Sequence, residues 1–326
     1  MKTFHLHPGD SINELLRQIP TDNSEEIHIR LSCGVYREKV VIDRPHLHFF
    51  GEDAQKTVIT YDDYANAPMP DGSKRGTFRS YTVLLDASFV TMENLTIENT
   101  AAPRKKVGQA IALYADGDRL HFKNCRLLGN QDTLFTGPLP PAPKQAGGFT
   151  GPKEFAPRQN GRQFYENCYI CGDIDFIFGS ATAYFLNCHI EAKNNLPPEE
   201  LESPENRPPV CSYLTAASTP EGQRFGYVFD RCRITAKDCP PGSVYLGRPW
   251  RIWAKTVFLN CSMDESIHPA GFHDWNKPES HETVYYGEYG CTGPGSALER
   301  RAPFARSLTA GEAASITPET VFERLD

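Results

Sequence analysis

Apolar residues along this chain come in short runs that polar or turn-forming residues separate. Val83–Leu85 is typical, and residues 95–97, 110–113 and 256–259 repeat the pattern. The runs are too short for helices and contain many β-branched residues, so they predict numerous short strands. The middle of the chain shows no long helical periodicity.

One phrase recurs five times: an aromatic residue, any residue, a polar residue and then cysteine. The phrases end at Cys125, Cys168, Cys188, Cys232 and Cys261. The shortest spacing is 20 residues, and we interpret the 44-residue spacing as about two such periods. A repeat of this kind predicts a solenoid in which every turn supplies the same strands. We therefore predict an all-β fold, a parallel β-helix with an asparagine or cysteine at an equivalent corner of each coil.

We expect a single domain over residues 1–326 with short capping helices at its ends. Ser11 and Glu14 form a capping-box pattern, which predicts an N-terminal capping helix at about 10–19. In the tail at about 296–326, Thr317 and Pro318 are typical of the start of another helix. Residues 137–160 are rich in Pro and Gly, which indicates a long surface loop inserted between strands.

Composition and net charge argue against two classes of binding partner. The chain has 326 residues and a net charge of −7, which indicates no basic face and hence no nucleic-acid partner. It has no apolar run of about 18 residues, so we expect no membrane partner. No secretory signal is visible after Met1, so we expect a cytoplasmic protein, or a secreted one if Met1 is an artificial start. We also expect a monomer.

Five of the ten cysteines occupy the same position of the recurring phrase, which favours free thiols over a pairing scheme. Cys168 and Cys171 have the spacing of some metal and redox sites, but positions i and i+3 on a strand face opposite ways, so we interpret both as packing residues. His5, His7, His46 and His48 alternate on strands without a nearby ligand set. The sequence therefore predicts no metal site and no cofactor.

Two acidic residues stand among apolar, strand-forming neighbours. Asp132 lies between Gln131 and Leu134, and Asp175 opens the run that ends at Gly179. A carboxylate in such a place costs free energy to desolvate unless something pairs with it or uses it. Two carboxylates on neighbouring strands, with an arginine beside one, can have their pKa values pushed apart, which suits acid–base or nucleophilic chemistry on an uncharged bond.

Several separated motifs occur in the order of one known family. They are residues 34–38, 109–113, 131–134, 162–165, 175–179, 246–250 and 285–289. On these motifs the chain resembles the pectin methylesterases, or pectinesterases. That family consists of carbohydrate esterases built on a right-handed, single-stranded parallel β-helix. The resemblance covers nearly the whole chain.

The resemblance implies a role for each matching polar residue. Asp175 would be the nucleophile, and Arg248 would orient it and lower its pKa so that it stays ionised. Asp132 would be the general acid and then the general base. Gln109 and Gln131 would donate hydrogen bonds to the oxyanion.

The resemblance also implies substrate contacts from Trp250, Phe176, Phe135 and Arg248. Phe135 stands where the family commonly has tyrosine. On a regular strand Asp175 would share the face of Ile177, so the strand must end or bend near Asp175.

The implied reaction is hydrolysis of methyl esters of galacturonate units to methanol and free carboxylate. The substrate would be a methylated galacturonate oligomer or pectin, and the long 137–160 loop favours short oligomers. One alternative is a pectate-lyase-like enzyme, which would need a calcium site of clustered carboxylates that the sequence does not show. The other alternative is a non-catalytic β-helix that binds carbohydrate.

Overall fold

Three parallel sheets wind around one apolar core. The computed structural model describes residues 2–201 and 209–322. Within these residues the sheets contain 11, 7 and 8 strands, which we name sheet 1, sheet 2 and sheet 3. Neighbouring strands within a sheet come from neighbouring coils and pair in parallel, as in Leu120–Lys123 with Arg162–Glu166. The predicted parallel β-helix is confirmed.

The strands of sheet 1 are Lys2–Leu6, Ile27–Leu31, Leu47–Gly51, Val90–Glu93, Leu120–Lys123, Arg162–Glu166, Thr182–Leu186, Tyr227–Asp230, Lys255–Leu259, Tyr285–Tyr289 and Ala305–Ser307. Those of sheet 2 are Val40–Ile42, Val83–Leu85, Leu113–Ala115, Leu134–Thr136, Ile174–Gly179, Ser212–Ala217 and Val244–Gly247. Those of sheet 3 are Gly34–Arg37, Thr57–Tyr61, Thr96–Asn99, Arg126–Leu128, Tyr169–Gly172, His189–Lys193, Arg233–Lys237 and Ser262–Met263.

Helices are few and short. The α-helices are Ile12–Leu16, Arg104–Val107, Pro198–Leu201, Ala310–Ala314 and Pro318–Val321. The 3₁₀ helices are Thr77–Arg79, Pro278–Glu282 and Leu298–Arg300. Across residues 2–201 and 209–322, no helix is long and apolar enough to cross a membrane.

The recurring cysteine phrase forms the corner between sheet 1 and sheet 3. Its polar residue adopts a left-handed backbone in every copy, with φ between 51° and 54° at Asn124, Asn167, Asn187, Arg231 and Asn260. Asparagine tolerates this conformation better than most residues, which explains why it fills four of the five corners. The cysteine that follows turns inward and is buried.

The number of residues between successive phrases is not proportional to the number of coils between them. The strands Thr182–Leu186 and Tyr227–Asp230 pair directly, although their phrases are 44 residues apart. The interpretation of 44 residues as two periods is therefore wrong. Each interval is one coil, and the additional residues lie in a loop between strands.

Two columns of side chains run through the core. The rings of Phe122, Tyr165, Phe185, Phe229 and Phe258 stack with centroid distances of 4.8, 4.6, 4.4 and 4.7 Å. Beside them each phrase cysteine donates its S–H to a carbonyl of the preceding coil, as Cys188 does to Tyr165 O at 3.4 Å. All ten cysteines of the chain are free thiols.

The ends of the coil are capped as the sequence predicts. Ser11 is the N-cap of Ile12–Leu16 and accepts a hydrogen bond from Glu14 N at 3.1 Å. Glu38 completes that cap by accepting from Ser11 Oγ at 2.7 Å and Ile12 N at 2.8 Å, which is a structural role. At the other end Thr317 caps Pro318–Val321, with Pro318 in the first turn.

Candidate active site

A cleft lies on the outer face of sheet 2. Its floor follows from strand alternation: Leu134 and Ile177 point into the core, while Phe135 and Phe178 point outward into a separate apolar cluster. Asp132, Asp175, Gln109, Gln131 and Arg248 all line the cleft. The structure therefore brings the five polar site residues of the sequence prediction together.

Asp132 and Asp175 occupy equivalent places in neighbouring coils, Asp132 in the turn before Leu134–Thr136 and Asp175 within Ile174–Gly179. Leu134 pairs with Ile177, so each aspartate stands two residues before a paired position. Both have a left-handed backbone, with φ of 64° and 50°. Since adjacent strands are about 4.8 Å apart, the two carboxyl groups flank the same small volume.

The strand that carries Asp175 bends at that residue, as the family pattern requires. Its pairing with Ser212–Ala217 shifts register between Ile174 and Ile177. Because of the shift, Phe176 and Ile177 both join the core cluster, and Asp175 points into the cleft. Gly172 makes room for the turned ring, since a Cβ there would lie 2.3 Å from Phe176 Cβ.

Arg248 holds the carboxylate of Asp175 with two parallel hydrogen bonds. Its Nε donates to Oδ1 at 2.8 Å and its Nη2 donates to Oδ2 at 2.7 Å. The guanidinium lies between two aromatic rings, with Cζ 3.9 Å from the ring centre of Tyr213 and 3.8 Å from that of Trp275. This fork geometry fixes the direction of the carboxylate, which a lysine could not do.

The surroundings of Asp132 and Asp175 give the two carboxyl groups different pKa values. Burial raises the pKa of Asp175 above its ordinary value, and the hydrogen bonds and charge of Arg248 oppose the rise. The expectation of a net lowering is therefore wrong, because desolvation outweighs the arginine. Burial and then the charge of Asp175 raise the pKa of Asp132 well above its ordinary value. Asp132 therefore holds a proton more readily than Asp175 does.

The side-chain amides of Gln109 and Gln131 face the cleft. Both side chains are half-buried. Their backbones are tied to neighbouring coils, since Ala110 N donates to Gln131 O at 3.1 Å and Ala65 N donates to Gln109 O at 2.8 Å. Neither side-chain amide bonds to another residue in the described part of the chain. Their N–H groups are thus available to an oxygen in the cleft.

Aromatic rings form the walls. Trp250 lies with its ring centre 5.7 Å from Phe178 and 6.1 Å from Phe149. It is partly exposed and lines the cleft, as a ring that contacts substrate must. Trp275 also lines the cleft, and neither Trp275 nor Tyr213 is among the residues predicted from the sequence. Tyr213 pairs with Ile174, beside Asp175, so knowledge of the strand register could have identified it.

Two of the predicted substrate contacts are wrong. Phe176 is fully buried in the core, because the bend at Asp175 turns its ring inward. Phe135 is also fully buried and packs beneath Trp250, with a ring distance of 6.4 Å. It supports the floor of the cleft without touching its contents.

The loop at residues 137–160 borders the cleft. Gly148 lines the cleft, and Phe149 is buried against Phe78 with ring centres 5.7 Å apart. Arg158 closes the loop on itself by donating to the carbonyls of Lys153 at 2.9 Å and Glu154 at 2.6 Å. The loop is thus a packed wall of the cleft.

The parallel β-helix and the acid pair in its surface cleft define a class, the carbohydrate esterases of this fold. The pectinesterase family model matches residues 8–138 and 157–323. The gap between these ranges falls within the 137–160 loop. Pectinesterase 31 of Arabidopsis thaliana is 33% identical over 310 residues, which are 93% of this chain and 85% of that protein.

Solved structures agree. Pectin methylesterase from carrot superimposes with a TM-score of 0.76 and 30% identity, covering 96% of this chain and 89% of that one. A pectin methylesterase in complex with a hexasaccharide gives a TM-score of 0.75 and 29% identity, with coverages of 96% and 92%. The chain belongs to the pectinesterase family and is a carboxylic ester hydrolase of the right-handed parallel β-helix fold.

Proposed function

We propose that this pectin methylesterase cleaves its ester through an acyl-enzyme intermediate on Asp175. A carboxylate oxygen of Asp175 attacks the ester carbonyl carbon at C6 of a methylated galacturonate. The carbonyl oxygen becomes an oxyanion, which the amide N–H groups of Gln109 and Gln131 stabilise. The pair of hydrogen bonds from Arg248 to Asp175 is the observation that carries the proposal, because it fixes the direction of the Asp175 carboxyl group in the cleft.

Asp132 then completes both halves of the reaction. When the C–OCH₃ bond breaks, the leaving oxygen takes the proton of Asp132 and departs as methanol. The resulting Asp132 carboxylate removes a proton from water, whose oxygen attacks the sugar carbonyl of the anhydride. That step frees the galacturonate and restores Asp175. The raised pKa of Asp132 supports this assignment, since it favours the protonated starting form.

Esters with different leaving groups test the division of roles. A trifluoroethyl ester needs less help from an acid than a methyl ester does, because its leaving group is less basic. Asp132→Asn should therefore lose much less activity on the trifluoroethyl ester, whereas Asp175→Asn should lose both activities alike. Equal losses for Asp132→Asn on the two esters would refute the acid role.

Product analysis tests the reaction class. The wild-type protein should release methanol from methylated oligogalacturonides, generate no unsaturated sugar, and keep its turnover in EDTA. Unsaturated products would support a lyase. Binding without methanol release would support the non-catalytic alternative.

The substrate we propose is a short methylated oligogalacturonide. The packed loop at 137–160 supports this, because its Phe149 and Gly148 wall one side of the cleft. Lys277 stands near Lys144, Arg251 and Arg248, and burial followed by these cations lowers its pKa to about 7. Such a cluster favours free carboxylates on the same oligomer.

A length series tests this preference. The ratio kcat/KM should level off at short oligomers, and a variant with residues 141–156 replaced by a short glycine–serine link should gain activity on polymeric pectin. Unchanged kcat/KM on polymer and oligomer in that variant would contradict the proposal. Insertion of the same link at the exposed Gly222 turn is the matched control.

We also propose that the protein is a monomer and that it resides in a reducing compartment. The free thiols of the corner column support the first, since an oxidising folding environment favours pairing. Titration of protein from its native source in denaturant without reductant should count close to all ten thiols, and light scattering should give a mass near 36.5 kDa. A much lower thiol count would indicate export.

A further inference from the structure

A group of histidines and a glutamate lies on the outer face of sheet 1, away from the cleft on sheet 2. His28 and His48 are register partners on the adjacent strands Ile27–Leu31 and Leu47–Gly51. Their neighbours Ile27, Ile29, Leu47 and Phe49 are buried, so alternation sends both imidazoles outward. Glu26 precedes the first of these strands.

The donor atoms of these three side chains converge. One ligand atom each from Glu26, His28 and His48 lies within 4.8 Å of the other two. Glu26 Oε1 and His28 Nε2 are 2.6 Å apart, and the two imidazole ring centres are 5.3 Å apart. The expectation that no ligand set lies near His48 is therefore wrong, because the neighbouring coil supplies the other ligands.

The surroundings hold the ligands in place. Phe50 stacks on His48 with ring centres 3.6 Å apart and meets the edge of His28 at 5.2 Å. His48 Nε2 is buried and has no hydrogen-bond partner among the described residues. A buried nitrogen without a partner is costly, and a metal ion would satisfy it.

We propose that Glu26, His28 and His48 bind one Zn²⁺ ion. Donors around tetrahedral zinc, at bond lengths of about 2.0–2.1 Å, lie roughly 3.4 Å from one another, which is within reach of this cluster. Two imidazoles and a carboxylate form a ligand set that zinc favours. Glu93 lies 3.6 Å from His48 Nε2 and is paired with Lys123 at 3.7 Å, so the fourth position is left to water.

The ion would link two successive coils at the N-terminal end of the helix. It bridges two strands that already pair in parallel through their backbones. A ligand that binds the native state alone stabilises it by mass action. Zinc should therefore raise the melting temperature as its concentration rises, without changing ester hydrolysis in the cleft.

Isothermal titration of tag-free, chelator-treated protein with zinc chloride tests the proposal. We expect one ion per chain. His28→Ala, His48→Ala and Glu26→Gln should each weaken binding at least about tenfold. Each variant should also lose the zinc-dependent rise in melting temperature. Glu26→Gln keeps the shape of the side chain, so it remains informative if a histidine variant folds poorly.

His121→Ala is the matched control. His121 lies in the same cross-strand row as His28 and His48, and its Nε2 is 3.3 Å from Glu166. It lacks a third ligand in the described part of the chain, so its replacement should leave zinc binding unchanged. Methanol release should be equal in all these variants.

Two outcomes would overturn the proposal. One is the absence of heat and of any thermal shift at zinc concentrations up to about 100 μM, well above the range of protein zinc sites. The other is equal binding by wild type and the His28→Ala/His48→Ala double variant, which would indicate scattered surface binding. Neither result would affect the esterase mechanism.

Discussion

The corners of the coil and the cleft use the same rare backbone conformation in opposite surroundings. At the corners, the left-handed residues Asn167, Asn187 and Asn260 are exposed, and Arg231 replaces asparagine in one coil. In the cleft, the left-handed residues Asp132 and Asp175 are buried. A left-handed residue frees its side chain from strand alternation in both places. The corner needs only the turn, whereas the cleft needs a particular functional group.

Replacing Asp175 should have the largest effect. Asp175→Ala should lower kcat by at least about 10⁴-fold, because no other group takes the place of the nucleophile. It should also cost about 3–5 kcal/mol of unfolding free energy, because Arg248 is left without its partner. Methanol release and urea denaturation measure the two effects. Retention of one hundredth of wild-type turnover would exclude Asp175 as the nucleophile.

The next largest effect comes from the glutamines. The amides of Gln109 and Gln131 face the cleft, whereas the amide of Gln163 forms a hydrogen bond to another coil. Gln131→Ala or Gln109→Ala should lower kcat by about 10²–10³-fold with little change in stability. Gln163 is the matched control: its Nε2 donates to Ala115 O at 2.9 Å, and Tyr165 donates to its Oε1 at 2.8 Å. Gln163→Ala should lose stability and keep its turnover. The reverse pattern would place the oxyanion donors elsewhere.

Asp132 should make stability depend on pH. Its pKa is raised on folding, so above an unfolded value of about 4 the native state binds more protons than the unfolded state. The contribution of Asp132 to stability is therefore complete below the unfolded pKa and is lost as the pH rises from there through the higher pKa of the folded state. The unfolding free energy of Asp132→Asn relative to wild type should increase between pH 4.5 and 8, as measured by urea denaturation. Asn187→Asp, an aspartate placed at an exposed corner, should show no such trend.

A corner residue should give the smallest effect. Asn187→Ala should cost about 1 kcal/mol, since alanine is disfavoured in the left-handed region, and Asn187→Gly should be nearly neutral. Neither change should alter kcat. A loss of turnover in either variant would show that corners and cleft are coupled.

The sequence was sufficient for the fold because every coil repeats one local signal. The aromatic–polar–cysteine phrase carries the turn, the inward thiol and the stacked ring in four consecutive residues. Its spacing misled the coil count, since loop length follows no repeat. The polar site residues were identifiable because desolvated aspartates are unusual and because family motifs surround them.

The remaining site features depend on register, which no local signal carries. The bend at Asp175 turned Phe176 inward and reversed the expectation of a substrate contact. Trp275 and Tyr213 reach Arg248 from other coils. His28 meets His48 only because a 20-residue offset aligns them. Each of these relations appears when strands are paired across coils.

The stacked rings of the core also constrain how such a molecule can diversify. Each ring must sit at a fixed height of 4.4–4.8 Å from the next, so deleting a single residue within a strand would displace a ring from the stack. Segments between strands carry no such constraint. Evolution can therefore lengthen or shorten the connections to change specificity, as at residues 137–160. The strands, in contrast, can be added or lost only as complete coils.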